Sequence, residues 1–143
     1  MPVSATAIVW PMVAQVALIA VVWVCLYVAR LGEMSRRRID PQSVRTSRHA
    51  AGVLENVAAA DNFRNLFEVP VLFFAGCGVL LATGLAGTPE LVFAWTFVAL
   101  RALHSAIHIG YNRVLHRFAA YALSTLVVFA LWALIAFDLW RGA

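Results

Sequence analysis

Lysine is absent from these 143 residues, and all eleven basic side chains are arginine. Charge of either sign is scarce. Charged residues make up 13% of the chain, against about a quarter in a soluble domain, while 63% is hydrophobic and mean hydropathy is +0.84. That balance excludes a water-soluble globule and leaves no room for a soluble catalytic module. Cysteine is limited to Cys25 and Cys77, both within apolar stretches. No disulfide framework or metal-ligand spacing follows from them, and they read as small buried hydrophobes. Internal repeats and low-complexity tracts are missing. No nucleic-acid-binding module accompanies the formal charge of +4.

What remains is apolar. Ile8–Ala29 is long enough to cross a bilayer, which needs about 20 residues. Three further runs follow, and the spacing predicts one all-α membrane domain over 1–143: a bundle of four transmembrane helices at about 8–29, 50–86, 90–112 and 118–140. Trp10-Pro11 opens the first helix, where a proline costs little. Asp40-Pro41 marks the first connection as a loop. The second helix is expected to begin outside the hydrocarbon, around Arg48, and to kink at Pro70. Gly76, Gly78, Ala82, Ala86 and Gly87 allow close helix approach on it. The turn Gly84–Pro89 makes the second and third helices an antiparallel hairpin.

The arginines set the topology. Arg30, Arg36, Arg37, Arg38, Arg45 and Arg48 fall between the first two helices, and Arg113 and Arg117 between the last two. Four spans put both connections on one side, which the positive-inside rule makes cytoplasmic, with both termini periplasmic. The same charges attract anionic lipid headgroups.

Ionisable groups recur inside this apolar frame. Asp61, Asn65 and Glu68 follow helical spacing on the second helix. Arg101, His104 and His108 do so on the third, with Tyr111 and Asn112 one turn on. Charges at membrane depth are expensive unless paired or lining a cavity, so such stripes point to function. Glu68 and Arg101 are natural partners. They could simply neutralise one another and lock the helices. The two histidines at i, i+4 could hold a metal, but no third ligand lies near and Arg101 would repel a cation. The arginines and Asn65 suit an anion, since guanidinium groups clamp carboxylates bidentately. The same positive field favours a bound thiolate.

Asn62-Phe63-Arg64-Asn65-Leu66-Phe67-Glu68-Val69-Pro70, with Arg101-x-x-His104-Ser105-x-x-His108-x-x-Tyr111-Asn112-Arg113-Val114-x-x-Arg117-Phe118, resembles the MAPEG superfamily, the membrane-associated proteins of eicosanoid and glutathione metabolism. The likeness covers the whole chain and is strongest to its bacterial branch. It implies a homotrimer in the bacterial inner membrane, with glutathione as thiol co-substrate bound between subunits near the cytoplasmic face. It implies that Arg64, Asn65, Glu68, His104, His108 and Tyr121 contact the tripeptide. Arg117 would activate the thiol, with Arg113 as the rival. Arg30 would take part from the first helix, with Arg36 as the alternative.

Two positions depart from the prostaglandin synthase branch. Phe118 stands in place of a serine, and His108 in place of a tyrosine. Eicosanoid chemistry is therefore not the expectation. The resemblance leaves two functions: a transferase or peroxidase acting on lipophilic electrophiles that arrive through the membrane, or a non-catalytic lipid-binding scaffold of the same fold. A proton pathway through Glu68, His104 and His108 is a third, disfavoured by the lack of inverted repeats and broken helices.

Overall fold

The structure, a computed structural model, describes residues 5–142. Among the described residues there are helices and turns and no strand. Six α-helices follow in order: α1 Val9–Arg37, α2 Ser47–Val53, α3 Ala58–Asn65, α4 Val69–Thr83, α5 Thr88–Ile109 and α6 Val114–Gly142. Residues 6–37, 58–83, 88–109 and 114–142 form four segments long and apolar enough to cross a membrane. The bundle's outer surface is apolar: Trp10, Val16, Val28, Leu115, Leu126 and Trp140 are all exposed. Such a surface is unsuited to water and ordinary in lipid.

The core lies between α4, α5 and α6. Phe73 and Phe97 stack with ring centroids 4.6 Å apart. Cys77, Leu80, Ala94, Val128, Leu131 and Ile135 complete the buried cluster. Trp132 Nε1 donates to the Leu72 carbonyl at 3.0 Å, tying α6 to α4. The α4–α5 turn begins at Gly84, whose φ of 70° is cheap only for glycine. It ends in the N-terminal box of α5, where the Gly87 N–H donates to Glu90 Oε2 at 2.9 Å.

Several expectations change here. The first helix does not stop at 29 but runs to Arg37, closing at Arg38 in the left-handed conformation (φ 51°). The helix expected over 50–86 is three helices, broken at 54–57 and again at 66–68. Pro70 occupies the first turn of α4, so it starts a helix rather than kinking one. The third helix is α5, beginning at Thr88 and ending at Ile109. The fourth, α6, begins at Val114, which places Arg117 inside its first turn. Gln15 interrupts the first apolar run and is fully buried.

The break after α3 explains Arg101. A helix that stops at Asn65 strands its last carbonyls. Arg101 is completely buried and donates from Nη2 to the Asn65 carbonyl at 2.6 Å. A cation at a helix C-terminus is also favoured by the macrodipole. The expected Glu68–Arg101 ion pair is not formed; Glu68 is exposed and accepts instead from the Tyr121 hydroxyl at 3.3 Å.

Candidate functional site

Both arginine-rich connections lie at one end of the bundle, where two clefts open. The first, of about 250 Å³, is lined by Arg30, Arg45, Asp61 and Arg64 among others. The second, of about 430 Å³, is lined by Glu33, Arg36, Glu55, Asp61, His108, Asn112 and Arg117 among others. They share Asn56, Val57 and Asp61, so they are neighbours.

α1 carries Arg30 to the first cleft, where Nη2 donates to the Val44 carbonyl at 3.1 Å. Arg64 projects from α3, exposed, with Asp61 Oδ1 3.6 Å away. Arg36 faces the other cleft.

The second cleft is built by the α5–α6 hairpin. Gly110 ends α5, and its N–H donates to the Ala106 carbonyl at 3.0 Å. A Cβ at Gly110 would sit 2.7 Å from that oxygen, so this turn needs glycine. Asn112 follows with φ 48°, a left-handed conformation that asparagine tolerates, and its N–H donates to the Ile107 carbonyl at 2.8 Å. The turn aims Asn112 back at α6. Arg117 Nη1 donates to Asn112 Oδ1 at 2.9 Å and to His108 Nε2 at 2.8 Å. The Arg117 carbonyl accepts from His104 Nδ1 at 2.9 Å. Two histidines one turn apart on α5 thus grip one residue of α6.

These contacts dictate tautomers. A guanidinium only donates, so His108 Nε2 accepts and the ring's hydrogen is on Nδ1. A carbonyl only accepts, so His104 also carries its hydrogen on Nδ1. His104 Nε2 and His108 Nδ1 are then buried without partners, as are Arg101 Nε and Nη1 and Asn62 Nδ2.

The expected site residues therefore divide. Arg30 and Arg64 share one cleft; His108 and Arg117 share the next. His104 joins the latter pair through the backbone. Glu68 and Tyr121 form a third contact, with the Tyr121 ring under Arg101 (5.3 Å from guanidinium carbon to centroid) and 5.7 Å from the His104 ring. Asn65 engages Arg101 through its carbonyl, and its side chain makes no hydrogen bond among the described residues. Arg113 is exposed, and its side chain makes no hydrogen bond or ion pair among the described residues. Among the described residues, no cluster of three or more His, Cys, Asp and Glu side chains could hold a metal.

Sequence reasoning missed Glu33, and it named Asn62 and Asn112 within the motifs without assigning them a role. Glu33 is buried and accepts from the Glu55 N–H at 2.8 Å, the Asn56 N–H at 3.2 Å and Arg37 Nη1 at 2.5 Å. It shapes both clefts by fixing the segment that leads into α3. A single carboxylate shortly before three consecutive arginines was the available signal. Asn62 is buried and its Oδ1 accepts from Ser105 Oγ at 3.3 Å, joining α3 to α5.

The description of the MAPEG family matches residues 8–137 of this chain. No curated protein and no solved structure gives a significant match.

Proposed function

The chain belongs to the MAPEG family of integral membrane proteins, and from that premise we propose that it is a glutathione-dependent transferase or peroxidase-like enzyme for lipophilic electrophiles. It works as a homotrimer in the bacterial inner membrane, with its clefts on the cytoplasmic side and both termini periplasmic. Thiol enters from the cytoplasm and electrophile from the lipid.

The observation that carries this reading is the state of Arg117. Both hydrogens of Nη1 are taken by His108 and Asn112, while Nε and Nη2 meet no acceptor among the described residues. A guanidinium pinned at one nitrogen and free at the others is preorganised for an incoming anion. The surrounding charges support an acidic tripeptide as that anion. Arg30 and Arg64 in the adjoining cleft, and exposed Arg113, would offer donors to carboxylates, and exposed Glu68, held by Tyr121, would offer an acceptor to an amine. His104 and His108 back Arg117.

Arg117 stabilises the thiolate, and the thiol proton leaves to water in the open cleft. The sulfur lone pair then forms a C–S bond to the electrophilic carbon, whose leaving group departs with its electron pair. With a hydroperoxide, the thiolate attacks the terminal oxygen, the O–O bond breaks, and the alkoxide takes a proton from water to leave as the alcohol. A second thiol then attacks the sulfenic sulfur, whose oxygen departs as water, giving the disulfide. Positioning and charge stabilisation supply the rate.

The test is to add glutathione to the detergent-solubilised protein, read thiolate absorbance in the ultraviolet, and assay conjugation to an aryl halide. A thiolate band and turnover are expected. Arg117→Ala should abolish the band and lower kcat by about 10²-fold, with Arg113→Ala much milder. Arg64→Ala should raise the glutathione Kd more than it lowers kcat. Full activity in Arg117→Ala with loss in Arg113→Ala would transfer the role to Arg113. A wild-type protein that neither binds nor ionises any cellular thiol would leave the lipid-binding scaffold as the function.

A further inference from the structure

We propose that His108 and Asn112 are positioning residues that act through Arg117 and do not grip the tripeptide, and that His108 does so only while its ring is neutral. This rests on the reading of Arg117 given above. Its geometric core, the neutral His108–Arg117–Asn112 cradle, stands independently of any thiol.

Three observations carry it. First, the acceptors match the donor in number and distance. Nη1 has two hydrogens, and two acceptors lie at 2.8 and 2.9 Å. One comes from α5 and the other from the turn after it, so the guanidinium is fixed from two directions. Second, the turn is held in the conformation that delivers Asn112, through its left-handed φ of 48° and its N–H bond to Ile107. An asparagine placed only for the turn need not present Oδ1 to Arg117. Third, His108 is buried and its accepting nitrogen is already occupied by Arg117. A ligand atom at Nε2 would displace the bond that holds the arginine.

An imidazolium has hydrogens on both nitrogens and accepts nothing. Protonating His108 would break the 2.8 Å bond and set two cations against each other. The other charged or titratable groups around it are Glu33 and Arg36 on α1, Glu55 before α3, Asp61 on α3, and His104 on α5, whose ring centroid is 5.4 Å from that of His108. Falling pH should therefore release Arg117 as well as reprotonate the thiolate. Two coupled protons would then control the site.

The experiment has two arms. In the first, thiol-free protein labelled with ¹⁵N-histidine is examined by NMR at pH 8, and His108 is identified by the signal lost in His108→Gln. An Nδ1–H tautomer is expected, with a shift toward Nε2–H in Arg117→Gln. An Nε2–H ring or an imidazolium in the wild-type protein would overturn the cradle. In the second arm, kcat and KM for glutathione are measured against pH. His108→Phe and Asn112→Ala should each lower kcat about tenfold or more, the scale of a misplaced catalytic group, with KM changed less than about twofold. His108→Gln keeps an acceptor that cannot titrate. It should recover most of kcat and convert a two-proton acid limb into a one-proton limb. A raised KM with unchanged kcat in His108→Phe would show that this side chain grips the tripeptide, and would overturn the positioning role. If the tautomer is found but no thiol ionises in the wild type, the cradle stands and the enzyme reading fails.

Discussion

Glu33 is a buried carboxylate that accepts three hydrogen bonds where α1 meets the segment before α3. Its two oxygens hold two backbone N–H groups across the gap between α1 and the entry to α3, and the guanidinium of Arg37 one turn on in α1. Removing a charged acceptor leaves those N–H groups without a partner, whereas an isosteric amide retains one oxygen. Glu33→Ala should lower the melting temperature in detergent by several degrees and weaken the proposed glutathione binding through displacement of Asp61 and Arg64, with Glu33→Gln intermediate. An unchanged melting curve for Glu33→Ala would remove it from this role. A second expectation at this scale concerns Glu68 and Arg101. Arg101 caps α3 and does not pair with Glu68, but both touch Tyr121, so the cycle of Glu68→Gln and Arg101→Gln should show a coupling of about 0.5–1 kcal/mol through that shared ring. A coupling above 1.5 kcal/mol would restore them as an ion pair. Arg101→Gln alone should be the more damaging, since it strands the Asn65 carbonyl.

The elements are placed by their breaks and by small residues. The interruption between α3 and α4 lets α3 carry Asp61 and Arg64 toward the clefts while α4 runs into the core. At Gly76 the crossing of α4 and α6 is close but not closed. A Cβ there would lie 3.4 Å from Trp132 Nε1 and 3.5 Å from Ile135 Cδ1, which is ordinary contact. Gly76→Ala should therefore be tolerated and gain up to about 1 kcal/mol from reduced backbone freedom. Gly76→Leu should cost about 1–3 kcal/mol by overpacking and separate Trp132 from the Leu72 carbonyl. Circular dichroism melts of the two variants check the order; equal stability would mean that α4 and α6 can move apart freely.

For the whole molecule, the bundle has one polar end and an apolar girth. The polar end gathers Arg36, Arg45, Arg64 and Arg117 around two clefts, and the opposite end holds the turn at Gly84 and the C-terminal end of α6 near Asp138. The arginine asymmetry predicts that the polar end is cytoplasmic. Reporter fusions at Thr88 and Ala143 should both report periplasm; cytoplasmic signals at both would invert the protein and move the clefts to the other face. Arg64 and Glu68 are exposed beside the apolar belt, where the proposed homotrimer would cover them. Native mass spectrometry should find a multiple of three of the 15.7 kDa chain. A monomer at all protein concentrations would sink the trimer.

Fold class and frame follow from residue composition and order. Hydrocarbon demands about 20 apolar residues per span and tolerates few charges, so four spans and the placement of the arginines were legible from composition and order alone. The recurrence of Arg101, His104 and His108 on one helix face was legible for the same reason, because helical period depends only on spacing. Tertiary structure decided which groups meet. Nothing in spacing says that Arg101 turns to a backbone carbonyl rather than to Glu68. That choice follows from the break after Asn65, a local interruption in an otherwise helical pattern. Likewise, Arg117 was legible as a basic residue beginning a helix, but its clasp by His108 and Asn112 depends on the left-handed turn that folds α6 back against α5. Hydrogen bonds are directional and satisfied across elements, so their partners become fixed only when the helices are packed.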